Sequence, residues 1–266
     1  MQESNLDLAL AAGRTALEKS GLESRDIGVL IVATFSGDYY VPSMASLVQA
    51  ELGLPENVLC YDLNAACSGF IFAVETARAL LTCHRSKAAL IIGSEVISRK
   101  LDMTDRGTCI LFGDGAGAVV LTLQENKLYQ SICRSRGDAG GISCSTSEED
   151  NRKIHMDGQA IYKFAVSTVP ALVEEVLSMA GSRADEIDWF ICHQANARIL
   201  DSIARTLHQP KDRFYRNIEE YGNTSAASIP IAISEMDDKG LLKPGQKIVL
   251  AGFGAGLTWG SILLEW

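Results

Sequence analysis

The apolar positions switch repeatedly between helical spacing and short unbroken runs. Residues 6–21, "LDLALAAGRTALEKSG", place apolar side chains three and four apart and stop at a glycine, which predicts an amphipathic helix. The run 27–34, "IGVLIVAT", has no polar break, as expected of a strand buried on both faces. Residues 42–54 read as a helix with Pro42 in its first turn. "VLCYDLN" is the next strand, and helical spacing resumes at Cys67 and continues to about Leu81. A second fully apolar strand covers 88–95. After the glycine cluster "FGDGAGA", "GAVVLTLQ" reads as a strand, with "KLYQSICRS" expected to pair beside it.

This order then recurs. Residues 165–194 run helix, glycine, acidic turn, apolar strand, as residues 8–34 do, with Gly181 matching Gly21 and Ile187 matching Ile27. The stretch 252–264, "GFGAGLTWGSILL", echoes 112–123: a glycine turn, then a strand. The pattern predicts an α/β protein of two similar halves, 1–145 and 146–266, related by a duplication and a pseudo-twofold axis. The competing explanation is that α/β proteins in general repeat themselves to this degree.

Composition narrows the function. In 266 residues the net charge is −9, which argues against general nucleic-acid binding, since that needs a basic field. An acidic partner would have to dock on a local basic patch. No apolar run reaches the roughly 18 residues of a membrane span, and "MQESNLDLAL" lacks the features of a signal peptide. The seven cysteines are odd in number and form no CxxC pair, which argues against a disulfide framework or a zinc site. A cytoplasmic protein without a metal is expected.

Four places could carry chemistry. Cys67 lies where a strand ends and a helix begins, among Ala65, Ala66, Ser68 and Gly69. A helix N-terminus favours an anion and lowers a thiol pKa, and small neighbours leave room for a substrate. Most cysteines are inert core residues, so position alone does not decide. His193 follows the buried strand "WFIC" at its C-terminal end, the edge where open α/β sheets bind ligands. His84, His155 and His208 read as surface or satisfied core residues. Asn223, in "YGNTSAAS", precedes a helix starting near Ser225 and could equally be a turn or cap residue. "GFGAGLTWG" could turn backbone N–H groups onto a ligand oxygen near Ala255, or be a plain hairpin.

Taken together, "DLNAACSGF", "DRGTCILFGDGAGAVVL", "HQANARI", "GNTSAAS" and "GFGAGLTWGSILL" resemble, in order and spacing, the β-ketoacyl-acyl-carrier-protein synthase III family of the thiolase superfamily. The resemblance runs from about residue 6 to the C-terminus and includes "HMDGQAIYKFAV". It implies a thiolase-like fold layered α-β-α-β-α, with the nucleophile in the first half and His and Asn in the second. It also implies a decarboxylative condensation. Cys67 would take an acyl group from acyl-CoA, and malonyl-acyl carrier protein would lose CO2 and attack the thioester. His193 and Asn223 would stabilise the enolate, and the N–H groups of Cys67 and Ala255 the acyl-transfer oxyanion. Acyl-CoA and malonyl-acyl carrier protein are the substrates, with no cofactor.

The same resemblance assigns Arg106 to the CoA nucleotide, and Gly158 and Asn196 to the pantetheine tunnel. Arg198 would serve both CoA and the carrier, with Lys163 and Arg205 completing the carrier-protein patch. The bland readings are a turn salt bridge for Arg106 and a solvated helix face for Lys163 and Arg205. A homodimer is implied. Val41 stands where relatives can have an aromatic capping the partner subunit's acyl pocket, so acyl groups larger than acetyl are expected to fit. Family members usually begin several dozen residues earlier, with a strand and a CoA-binding loop, whereas this sequence starts at the first helix. A sheet lacking an inner strand is therefore expected. The alternatives are a thiolase-fold condensing enzyme of secondary metabolism using a small acceptor, and a catalytically silent, truncated subunit.

Overall fold

The computed structural model describes residues 3–84, 86–138, 140–145 and 153–266. The chain opens with α1 (Asn5–Ser20), β1 (Ile27–Ala33), α2 (Met44–Glu51), β2 (Leu59–Leu63), α3 (Gly69–His84), β3 (Ala88–Glu95) and β4 (Gly115–Thr122). It continues with β5 (Tyr129–Asp138), the short pair β6 (Ile142–Cys144) and β7 (Ile154–Met156), α4 (Gly158–Met179) and β8 (Trp189–Cys192). Last come α5 (Ala197–Thr206), α6 (Ile218–Tyr221), α7 (Ser228–Asp238), β9 (Lys247–Gly254) and β10 (Gly256–Glu265). The first sheet has the order β2-β1-β3-β4 and the second β5-β10-β9-β8.

Strand periodicity explains the layering. On β1, Val29 and Ile31 point to one side and Leu30 and Val32 to the other. Leu30 and Val32 join α1 and α2 through Ala9, Met44 and Val48. Val29 and Ile31 meet Phe70 and Val74 of α3, Ile229 and Ile233 of α7, and Leu250 and Ile262 of the second sheet. The far face of that sheet, with Phe190 and Val249, packs on Val169 and Val173 of α4 and Ile203 of α5. The result is the expected α-β-α-β-α stack, with α3 and α7 enclosed between sheets.

The internal repeat extends to small details. Gly21 and Gly181 both follow a helix with left-handed φ, 67° and 63°. Each leads into a one-turn 3-10 helix, Ser24–Asp26 and Ala184–Glu186, capped by the backbone N–H of Ile27 and of Ile187. Further on, β4 corresponds to β10.

Several expectations change. "KLYQSICRS" does not pair beside β4. As β5 it runs antiparallel to β10, Gly260 opposite Cys133. Its two faces account for this: Tyr129 and Cys133 pack into the core between the sheets, and Leu128 and Ile132 into the core under α4. The chain thus enters the second sheet at Tyr129, ahead of the 145/146 division, which adjoins 146–152, outside the described residues. The first sheet has no internal gap. Compared with the second, it lacks, among the described residues, a counterpart of β5, so the open position lies at the outer edge of β4 rather than inside the sheet. Pro42 precedes the α2 N-cap Ser43 instead of starting the helix. Finally, one 18-residue window, Ala66–Cys83, does reach the length and apolarity of a span, with half of it buried. Its apolarity follows from α3 lying between two sheets.

Candidate active site

Cys67 occupies a 3-10 turn, Ala66–Ser68, immediately before α3. Ala66 is held at φ 46°, in the left-handed region. The second half has the matching bend: Ser225, φ 52°, opens the turn Ser225–Ala227 before α7. The two bends meet where the halves join. A Cβ on Gly69 would come within 3.3 Å of the Ala226 and Ala33 side chains. Ser68 Oγ donates to Thr258 Oγ1 at 2.7 Å, and Thr258 Oγ1 lies 3.0 Å from the Ala65 carbonyl. The small residues around Cys67 therefore serve mainly to let the halves approach, and only part of the space they leave is open to a ligand.

Two cavities flank the sulfur, and Cys67, Phe112, Ile142 and Ala255 line both. The first, about 170 Å³, brings Cys67, His193 and Asn223 together with Ala255, Gly158 and Asn196. The second, about 160 Å³, is bounded by Phe35, Asn64, Ala66, Cys144 and Ile154. Chain segments far apart in sequence thus bring Cys67, His193 and Asn223 to one space.

His193 sits just past β8, and its backbone N–H donates to the Ala251 carbonyl at 2.8 Å. Its ring packs edge-on to Phe253, 5.3 Å between centroids, and Nδ1 lies 2.7 Å from Ser228 Oγ. The Gln194 N–H donates to that same oxygen at 3.4 Å. Donation from Ser228 to Nδ1 would place the imidazole proton on Nε2, facing the cavity. Burial pulls the His193 pKa down to about 3, so the ring is neutral at ordinary pH. Asn223 is held by the segment after Thr108: its N–H donates to the Leu111 carbonyl at 2.8 Å, and its carbonyl accepts from Gly113 at 3.0 Å. Its side-chain Oδ1 accepts the Ser225 N–H at 2.9 Å, which leaves Nδ2 as the donor for the cavity. The Asn223 side chain thus serves as a cap through Oδ1 while Nδ2 remains the end that faces the cavity.

The thiol departs from expectation. Burial pushes Cys67 up to about 11, and the Glu95 charge adds to this, against smaller lowering effects from Ser225 and the Cys67 N–H. Loss of water is the largest cause of the shift. Gly254 packs on the bend so closely that a Cβ there would stand 2.7 Å from the Cys67 nitrogen, which puts Ala255 beside Cys67.

The remaining assignments are peripheral. Arg106 is exposed at the rim, next to Gly107, which lines the cavity. Among the described residues it has no ion-pair partner. Gly158 opens α4, and Asn196 caps α5 by accepting the Arg198 N–H at 2.9 Å. Arg198, Lys163 and Arg205 are exposed on α5 and α4. Val41 is 83% exposed and lines neither cavity of its own chain. Sequence reasoning missed Ser228, Ser225, Glu95, Phe112 and the walls of the second cavity. Only Glu95 left a trace, as a carboxylate closing an otherwise apolar strand. Among the described residues no cluster of metal ligands occurs.

Two stacked sheets within three helical layers, with cysteine, histidine and asparagine converging at the pseudo-twofold, define a thiolase-fold condensing enzyme. Solved structures agree. The 3-oxoacyl-[acyl-carrier-protein] synthase III of Aquifex aeolicus superposes with a TM-score of 0.95 at 38% identity, covering 100% of this chain and 86% of that one. The chain matches the family models for 3-oxoacyl-[acyl-carrier-protein (ACP)] synthase III over residues 61–137 and for its C terminal part over 177–266. It is 44% identical to the β-ketoacyl-[acyl-carrier-protein] synthase III of Clostridium acetobutylicum, over 100% of this chain and 85% of that protein. It is 45% identical to the Streptococcus suis enzyme, over 99% and 85%. The chain belongs to the β-ketoacyl-acyl-carrier-protein synthase III family.

Proposed function

We propose that this chain condenses an acyl-CoA primer with malonyl-acyl carrier protein to give β-ketoacyl-acyl carrier protein, the step that initiates fatty acid synthesis. The observation that carries this reading is the meeting of Cys67, His193 and Asn223 on one cavity. In the first half-reaction Cys67 attacks the acyl-CoA carbonyl, the Cys67 and Ala255 N–H groups hold the oxyanion, and CoA leaves. In the second, malonyl-acyl carrier protein loses CO2, and the negative charge grows on its thioester oxygen. His193 Nε2–H and Asn223 Nδ2–H donate to that oxygen. Both are neutral donors, so they stabilise the enolate without a proton change of their own. The carbanion attacks the acyl-cysteine, and Cys67 leaves. The cavity with Gly158 and Asn196 takes the pantetheine arm, and the cavity bounded by Phe35 and Ile154 takes the acyl chain. Arg106 and Arg198 at the rim meet CoA. Lys163, Arg198 and Arg205 meet the acidic carrier, which supplies the basic patch an acidic protein needs for such a partner.

The reading requires no cofactor beyond these substrates. It includes a cytoplasmic homodimer, supported by an exposed apolar loop, Tyr39, Tyr40 and Val41, that a partner would cover. The test is intact-mass detection of an acyl adduct after incubation with acyl-CoA, beside Cys67→Ser, followed by malonyl-acyl carrier protein. Acylation of wild type alone, with product released only in the presence of the carrier, is the expected result. No adduct with any acyl-CoA would sink the reading, and turnover with a small acceptor in place of the carrier would redirect it.

A further inference from the structure

The two N–H groups assigned above to the acyl-transfer oxyanion come from opposite halves of the molecule. Cys67 belongs to the bend before α3, and Ala255 to the turn between β9 and β10. Among the described residues, neither N–H donates to a carbonyl or to another residue's side chain. Their spacing depends on what holds bend and turn together, and one side chain touches both. Thr258 Oγ1 lies 2.9 Å from the Ala255 carbonyl oxygen and 3.0 Å from the Ala65 carbonyl oxygen. It also lies 2.7 Å from Ser68 Oγ, which is itself 2.8 Å from that Ala65 oxygen. The contact to Ala255 stays within the hairpin, whereas those to Ala65 and Ser68 span 193 and 190 residues of chain. With Ser68 donating to it, the Thr258 hydroxyl has one proton for two carbonyls, so one group ties a peptide of the first half to a peptide of the second. A single alanine separates each tied carbonyl from its N–H. Ala66, bent to φ 46°, stands between the Ala65 carbonyl and the Cys67 N–H, and Ala255 carries both groups itself.

We propose that Thr258 and Ser68 are a positioning pair: their hydroxyls clamp the turn to the bend, fix the separation of the Ala255 and Cys67 N–H groups, and so set the rate of acyl transfer. This rests on the condensing reading and deepens its first step. Backbone donors cannot correct their aim by changing rotamer, so any drift between the halves passes directly into the hydrogen bonds to the oxyanion. Such donors act at about 2.7–3.1 Å from the charged oxygen, and a displacement near 1 Å costs about 100-fold in rate. Gly254 sets how closely the two backbones can approach, but a steric contact only resists. The Thr258 hydroxyl supplies the attraction that holds them there. Ser68 is fully buried, so its hydroxyl has no water to turn to and stays committed to the pair. Thr258 lines neither cavity beside Cys67, and its part is to position the peptides that do. The enolate of the second half-reaction meets His193 and Asn223 instead. Those are held by Ser228, Leu111 and Gly113, with no contact to Thr258 among the described residues, so the clamp serves acyl transfer selectively.

The experiment compares the full chain with Thr258→Val, Thr258→Ser and Ser68→Ala, following two reactions at Cys67 by peptide mass. p-Nitrophenyl acetate acylates the sulfur through an oxyanion, and iodoacetamide alkylates it without one. Thr258→Val keeps the shape of the side chain and loses the hydroxyl. Its acylation should slow about tenfold or more while alkylation stays within about twofold of wild type. Thr258→Ser, which restores the hydroxyl, should recover most of the acylation rate. A fall of both reactions by one factor, as a general loosening of the fold would give, would overturn the clamp. So would an unchanged acylation rate, or a Thr258→Ser protein no faster than Thr258→Val. Should Thr258→Val fail to fold, Ser68→Ala decides: it should lose acylation selectively but only about threefold, because Thr258 still reaches both carbonyls, and no selective loss there would overturn the proposal. An ester that leaves wild-type Cys67 unacylated would also overturn it. Neither reagent contains CoA, so a wild-type protein that takes acetyl from the ester but no acyl group from any acyl-CoA refutes the condensing reading and not the clamp.

Discussion

Replacing Gly254 with alanine probes the least accommodating contact in the site. The added Cβ would stand 2.7 Å from the Cys67 nitrogen and 3.2 Å from the Ser68 nitrogen, whereas ordinary contact begins at 3.4 Å, so a gap of 0.7 Å must be opened. Both atoms belong to backbone. Gly254 ends β9, and the bend at Cys67 is held by the Ser68–Thr258 hydrogen bond, so no flexible side chain can yield. The φ of Gly254 is not in the left-handed region, and the penalty is therefore steric alone. Overpacking of this kind costs about 1–3 kcal/mol of stability. The effect on chemistry should be larger in proportion. Relief of the overlap moves Cys67 and its N–H away from the Ala255 N–H, and a displacement near 1 Å costs about 100-fold in rate. Loss of one oxyanion donor falls in the same range, about 100- to 1000-fold. Stopped-flow acylation by acyl-CoA, with thermal unfolding in parallel, separates the two effects. Acylation at the wild-type rate in a folded Gly254→Ala protein would refute the claim that this contact sets the nucleophile's geometry.

Other outcomes follow from the same geometry. Ser228→Ala removes the partner of His193 Nδ1, worth about 1–1.5 kcal/mol in tautomer bias, and should slow malonyl decarboxylation about tenfold. Transfer of the acyl group to Cys67 should change less, as single-turnover assays of each half-reaction would show. Burial lowers the His193 pKa, so the unfolded chain binds a proton that the folded one refuses. Stability should then fall as pH drops from 6.5 towards about 3, by up to a few kcal/mol, and His193→Gln should flatten that part of the curve in urea titrations. Glu95 behaves in the opposite sense. Its raised pKa stabilises the fold at low pH, and that contribution disappears as pH rises from 4.5 through about 7, a trend that Glu95→Gln removes. In competition among acetyl-, butyryl- and isobutyryl-CoA, Val41 is expected to permit the larger groups, and strict acetyl preference would count against that role.

Much of the architecture was legible along the chain, because periodicity reports burial and burial is what builds layers. Unbroken runs such as 27–33 and 88–95 could only be strands covered on both faces, and they are. The turn glycines Gly21 and Gly181 and the apolar residues after them disclosed the duplication, since each half needs the same helix stop before the same strand. Cys67, His193 and Asn223 stood out because each lies at a junction between elements, where ligands have access. Local pattern is silent on whatever depends on a distant partner. Both faces of β5 are half apolar, and only the stacked sheets decide that it joins β10. The ahead-of-helix position of Cys67 argued for an acidic thiol, but desolvation by segments brought in from both halves pushes it the other way. Ser228, which lies 2.7 Å from His193 Nδ1, comes 35 residues later in the chain, and the Glu95 carboxylate is buried only once the chain has folded. Sequence determined which groups could react and where the layers lie; folding decided their protonation, because a charge responds to every neighbour within reach and the chain order records only the adjacent ones.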